Sequence, residues 1–125
     1  MIEKPQVFEV LVESCPSFAP QWAAHQAEWG DDMLYEAAGE FAMHLLAIHL
    51  DGDQTQLVRA AAAVERLHTE GSPWVRELAT AGVLEGVQNV WANRGEDPEQ
   101  FGKLLPPASR RAWNALNAFW SQVGK

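Results

Sequence analysis

The feature that most constrains this chain is its punctuation. Pro5, Pro16, Gly30, the triplet Asp51-Gly52-Asp53, the run Gly71-Ser72-Pro73, Gly95 and the pair Pro106-Pro107 cut its 125 residues into stretches of helical length. Proline belongs in the first turn of a helix or outside it, and glycine adopts the left-handed conformation that ends one. Between these marks apolar residues recur at three- and four-residue spacing. No stretch alternates apolar and polar residues with β-branched enrichment, so strands are not expected. The expected fold is all-α: a compact single domain of about five longer helices plus one or two short ones, with short connections that favour stacked antiparallel helical hairpins.

The marks also place the helices. The first starts after Pro5, carries Val7, Phe8, Leu11 and Val12, and stops before Pro16. A short second helix, capped by Ser17, holds Trp22 and Trp29 and ends at Gly30. Asp31 or Asp32 is the expected cap of the third, whose stripe is Leu34, Ala37, Ala38, Phe41, Leu45 and Ile48. The triplet at 51–53 closes it. The fourth helix runs from Gln54 to Thr69, with Leu57, Ala61, Val64 and His68 on one face. Ser72-Pro73 opens the fifth, a good cap followed by a residue suited to the first helical position. Its inward residues are Trp74, Leu78, Gly82, Val83, Val87, Val90 and Trp91. Gly82 and Gly86 each cost about 1 kcal/mol in mid-helix relative to alanine, so a neighbouring helix is expected close against them. A short turn covers Pro98 to Lys103. The last helix follows Pro107 and is expected to bury Trp113, Leu116, Trp120 and Val123. Helices three and four, and five and the last, are the expected hairpins.

Composition matters mainly through charge. The net charge is −8, and its distribution is lopsided. Residues 1–53 carry ten acids against one base, Lys4, a net −9; residues 54–125 carry seven acids against eight bases, a net +1. Such a field repels phosphate backbones, which argues against direct nucleic-acid binding. It attracts a basic protein surface and speeds encounter with it; its plainer role is solubility. No apolar run approaches the roughly 18 residues of a membrane span, and the first residues lack the pattern of a signal peptide. Cys15 is the only cysteine, which leaves no partner for an internal disulfide. A cytoplasmic protein without a membrane role is the expectation.

Candidate catalytic and metal-binding groups fail on spacing. His44 and His49 are five residues apart, rotated by about 140° on a helix, whereas paired helical ligands need i, i+4. Glu65 and His68 form one ExxH pattern, but di-metal bundles use two. The calcium-loop reading of Asp51-Gly52-Asp53 lacks its closing glutamate, since Ala62 stands there. Cys15 has no histidine near it in sequence and reads as a small buried residue at a turn. No phosphate-binding glycine loop, serine elbow or paired-cysteine knuckle occurs. No cofactor is expected. A small-ligand or metal-binding alternative would draw on His44, His49, His68, Glu40 or Glu65. A general adaptor, or a homodimer formed through surplus aromatics, is a further alternative.

Two motifs in the C-terminal half carry a resemblance. One is VxxLxxxGxLExxxN, here Val75, Leu78, Gly82, Leu84, Glu85 and Asn89. The other is LGPxSxxxWxxLxxFW, here Leu105, Pro107, Ser109, Trp113, Leu116, Phe119 and Trp120. With them the chain resembles a family of small, acidic, all-helical bacterial proteins of unassigned biochemistry, often encoded near polymorphic or contact-dependent toxins. It departs from the pattern at Pro106, where the family often has glycine, and at Val83, where an aromatic is frequent. The resemblance covers about half the chain. It implies an immunity role: a non-catalytic protein that binds and neutralises a cognate toxin domain. The acidic half of the chain suits a toxin with a basic active-site surface. The face expected to make that contact is the acidic edge of helices two and three, comprising Asp31, Asp32, Glu36, Glu40, Asp51 and Asp53, with Trp29 and Tyr35 as aromatic anchors.

Overall fold

In a computed structural model that describes residues 1–123, the chain is all-α, with no strand among the described residues. A 3-10 turn, Lys4–Gln6, leads into α1 (Val7–Ser14). A second 3-10 turn, Pro16–Phe18, leads into α2 (Ala19–Trp29). Then come α3 (Leu34–Leu50) and α4 (Gln54–Glu70). A long rod follows, made of α5 (Pro73–Glu77), a π-helical segment (Leu78–Leu84) and α6 (Glu85–Asn93). A single turn, α7 (Glu99–Gly102), precedes α8 (Pro107–Val123). One cluster of buried apolar side chains runs through the whole molecule, from Ile2 to Trp113.

The helix breaks work largely as their chemistry dictates. Gly30, Gly52 and Gly95 all have positive φ at helix ends, the left-handed geometry that glycine adopts without strain. The Asp53 carboxylate accepts from the Gln56 amide and caps α4, and Ser72 Oγ accepts from that of Val75, capping α5 as expected. Gly71 is required for space: a Cβ there would run into the Leu67 carbonyl and Val75. The same turn holds the N-terminus, because Ile2 donates to the Glu70 carbonyl at 2.7 Å and accepts from the Ser72 amide at 2.9 Å.

The expected α3 stripe is buried in full, from Leu34 to Ile48. A tight turn joins α3 to α4, but α3 packs most extensively on α6 and the π-helical segment. The mid-helix glycines account for this. A Cβ on Gly82 would sit 3.1 Å from Ala38 Cβ, and one on Gly86 would sit 3.3 Å from Ala42 Cβ. Two glycines facing two alanines let the backbones approach closely. The approach brings the buried Trp91 indole onto the α3 backbone, where Nε1 donates to the Ala42 carbonyl at 3.1 Å.

Three local expectations are corrected. Neither Asp31 nor Asp32 caps α3; Met33 stands at the cap with φ 58°, and no side chain completes it. Ser17 does not cap α2; its hydroxyl binds His44 and Gln56 instead. The far end of α8 is not buried. Trp113 is 1% exposed, but Trp120 is 41% and Val123 58% exposed, and Leu116 is half-buried. The short α7 supplies Phe101, and its Gly102 sits so close to the Trp113 indole that a Cβ would not fit. Only the first turns of α8 receive such cover.

Candidate functional site

The carboxylates predicted to meet a partner divide among three places. Asp51 and Asp53 sit at the C-terminal end of α3, where Asp53 is occupied with its capping bond and a second bond from Gln56 Nε2 at 3.1 Å. Asp31, Asp32, Tyr35 and Glu36 lie at the opposite end, about 25 Å away along a 17-residue helix. There they share a shallow depression with Lys4 and Trp74. The Lys4 ammonium stands 4.7 Å over the Trp74 ring, and Tyr35 meets the same ring edge-on at 6.1 Å. Burial, then the charge of Glu77, pushes the Tyr35 phenol up from its ordinary value.

Glu40 and Trp29 lie elsewhere, in a groove between α2 and α3. It encloses about 560 Å³ and is lined by Gln21, His25, Glu28, Trp29, Glu40 and Met43, together with the small residues Ala24 and Gly39. Trp29, at 43% exposed, and Met43 are apolar surfaces open to solvent. Among the described residues no lysine or arginine lines it, and none occurs anywhere in the sequence between Lys4 and Arg59.

His25 was not among the predicted residues, yet it organises this groove. Its side chain is only 3% exposed and its ring stacks on Trp22, with centroids 5.6 Å apart. Trp22 stacks in turn on Phe8 of α1. Nε2 lies 2.9 Å from the Asp32 carbonyl, so the imidazole fastens the loop after α2 and positions the start of α3. Nδ1 faces Glu40 Oε2 at 3.8 Å, beyond hydrogen-bond distance. The available signal was helical spacing: Trp22, His25 and Trp29 fall on one face of α2.

The other histidines are tied into the scaffold. His44 packs its ring on Phe18, and its Nε2 lies 2.7 Å from Ser17 Oγ. Ser17 Oγ also lies 2.6 Å from Gln56 Oε1, while Gln56 Nε2 donates to Asp53. The polarity is therefore fixed: serine donates to the glutamine oxygen and accepts from His44 Nε2–H. A general base would need the reverse, accepting the serine proton. Cys15 Sγ, 3.4 Å from the same glutamine oxygen, is buried, and burial pushes its pKa up. Burial pushes His44 down. His49 stacks on Trp91 and stands 4.0 Å from Glu96.

Glu65 and His68 form a closed polar joint between α4, α8 and the rod. The Glu65 carboxylate accepts from the backbone amides of Ala108 at 3.1 Å and Ser109 at 2.8 Å, in the first turn of α8. Burial opposes the charge there, but the amides of Ser109 and Ala108 outweigh it and hold the Glu65 pKa down. His68 Nδ1 lies 2.8 Å from Ser109 Oγ and 3.1 Å from the Val64 carbonyl, and Nε2 lies 2.9 Å from Thr80 Oγ1. Burial lowers the His68 pKa, more than the Val64 carbonyl and the Glu65 charge raise it. Both ring nitrogens are engaged within the fold. No group of three or more His, Cys, Asp or Glu is placed to hold a metal ion among the described residues. Among them too, no helix is long and apolar enough to cross a membrane.

Residues 8–121 match the sequence model of a domain of unknown function (DUF7674), and the chain belongs to that family. No curated protein and no solved structure matches the chain.

Proposed function

We propose that this protein is a non-catalytic inhibitor of the immunity type, which captures a basic partner protein on the acidic side formed by α2 and α3. The observation that carries this reading is the α2/α3 groove. It combines two carboxylates, an exposed tryptophan and an exposed methionine, and no lysine or arginine lines it among the described residues. Charge there speeds encounter, and apolar anchors at the centre of a contact set its lifetime. Asp31 and Asp32 of the loop after α2, and Glu36 in the first turn of α3, add negative charge from a separate depression. Asp51 and Asp53, at the far end of α3, fit an outer steering role.

The resemblance carried by the two C-terminal motifs makes a bacterial toxin domain the partner to try first, met in the cytoplasm. The deciding experiment is a toxicity rescue. The C-terminal domain encoded immediately upstream is expressed with and without this chain, and survivors are counted. Specific rescue, with co-purification of the pair, is expected. A toxic domain that this chain neither rescues nor binds would overturn the reading.

A further inference from the structure

The α2/α3 groove presents an unmatched pair of acceptors. The Asp32 carbonyl accepts only, so His25 Nε2 must carry a proton and donate to it across 2.9 Å. In the neutral ring, Nδ1 is then a lone-pair acceptor. It faces the Glu40 carboxylate, a second acceptor, at 3.8 Å with no hydrogen bond between them. The imidazole is held in this pose by its stacking on Trp22 and by burial. Turning it away would strand the Asp32 carbonyl. Glu40, by contrast, is 55% exposed and free to adjust. One group with two donors and a positive charge would satisfy both acceptors at once.

We propose that the groove is a pocket for one arginine side chain of the partner polypeptide, whose guanidinium donates to His25 Nδ1 and the Glu40 carboxylate together. This rests on the reading of the α2/α3 face as a capture surface, and it names the group captured. The guanidinium is planar, always charged, and presents its N–H groups as a fork that spans two neighbouring acceptors. A lysine ammonium is a more strongly hydrated point charge on a flexible stem. Glu28 adds a second negative charge, while Ala24, Trp29 and Met43 offer apolar walls for the side chain's methylenes. The buried, half-partnered histidine aimed into the groove separates this place from the other acidic surfaces, where the carboxylates cap helices or lie in the open.

The test uses the full-length protein and three short peptides of glycine with one central residue: arginine, its uncharged isostere citrulline, or lysine. Backbone and imidazole NMR signals are followed at neutral pH. The arginine peptide is expected to shift the Gly39 amide and the His25 ring signals saturably. The lysine peptide should bind at least five-fold more weakly, and citrulline at least ten-fold. Glu40→Gln, a change at an exposed position, should weaken the arginine peptide at least five-fold with the fold intact. His25→Gln, checked for folding by its amide spectrum, should abolish the preference for arginine over lysine. Equal responses to arginine and lysine, or shifts absent from the groove, would overturn the pocket. Capture of the protein partner by the wild type and by Glu40→Gln separates the two failures. Unchanged capture alongside a failed peptide test removes the pocket alone, whereas no capture by the wild type removes the inhibitor reading beneath it.

Discussion

Two of the molecule's glutamate–histidine pairs are opposites. Glu65 and His68 sit one turn apart on α4, and their polar atoms meet donors or acceptors within the fold. Glu40 and His25 come from different helices, and their facing atoms share no hydrogen bond. The first pair replaces what the start of α8 lacks, since the first amides of any helix have no partner within it. The second faces an open groove. The same residue types thus build a closed joint in one place and line an open groove in the other. The difference lies in whether backbone donors have been brought to them.

The sharpest break between the two pairs is thermodynamic. Glu65→Ala strands the amides of Ala108 and Ser109 in a half-buried place and is expected to cost about 2–3 kcal/mol. For a chain of this size that lowers Tm by roughly 10 °C. Glu40→Ala is expected to change stability by no more than about 0.5 kcal/mol. Thermal unfolding of both variants by circular dichroism checks the contrast; equal losses would erase it.

Reversing the charges in the groove should show the converse. Glu28→Lys with Glu40→Lys is expected to slow capture of the partner about ten-fold at low salt, an effect that fades as ionic strength rises. Stability should barely move. Association rates measured across a salt series decide this, and a salt-independent loss would mean that the variants damaged the fold instead.

A subtler difference follows from protonation. Burial lowers the affinity of His44 and His68 for protons in the folded chain. Below about pH 6.5 the unfolded chain therefore binds more protons than the folded one. The stability that these histidines contribute is complete above that pH and is lost as pH falls toward their lowered folded values. The slope is at most about 1.4 kcal/mol per pH unit for each histidine. Urea unfolding between pH 7 and pH 5 should show this decline, and His68→Gln should make it shallower. An unchanged slope in that variant would place the proton uptake elsewhere. The smallest expected effect is Trp29→Ala, which should leave stability within about 0.5 kcal/mol of wild type while weakening capture.

Much of the fold was legible because local chemistry and packing agree. Ser72-Pro73 opens its helix, the stripe from Leu34 to Ile48 is buried, and Gly82 and Gly86 mark a close helix contact. Where the reading went astray, a contact distant in sequence had intervened. The Asp32 carbonyl is taken by His25, and Met33 turns left-handed to start α3. Ser17 is drawn to His44 and Gln56, residues of α3 and α4. Apolar spacing on α8 continues to Val123, but periodicity cannot say where the covering elements end. The π-helical winding at Leu78–Leu84 left no mark on the apolar pattern. Acidic residues were easy to find, yet composition alone could not distinguish a capping Asp53 from a groove-lining Glu40. The separation of His25 and Glu40 along the sequence hid their approach.

The absence of bases from Lys4 to Arg59 has a practical consequence. Trypsin has no cleavage site across α1, α2 and α3, so this half of the molecule leaves a digest as a single long peptide. Amine-reactive cross-linkers and labels are likewise blind to it. A partner seated on α2 and α3 would shield at most the Lys4 amine, beside the start of α3, from such reagents. Mapping this face requires carboxylate-directed coupling, or cleavage after Glu and Asp.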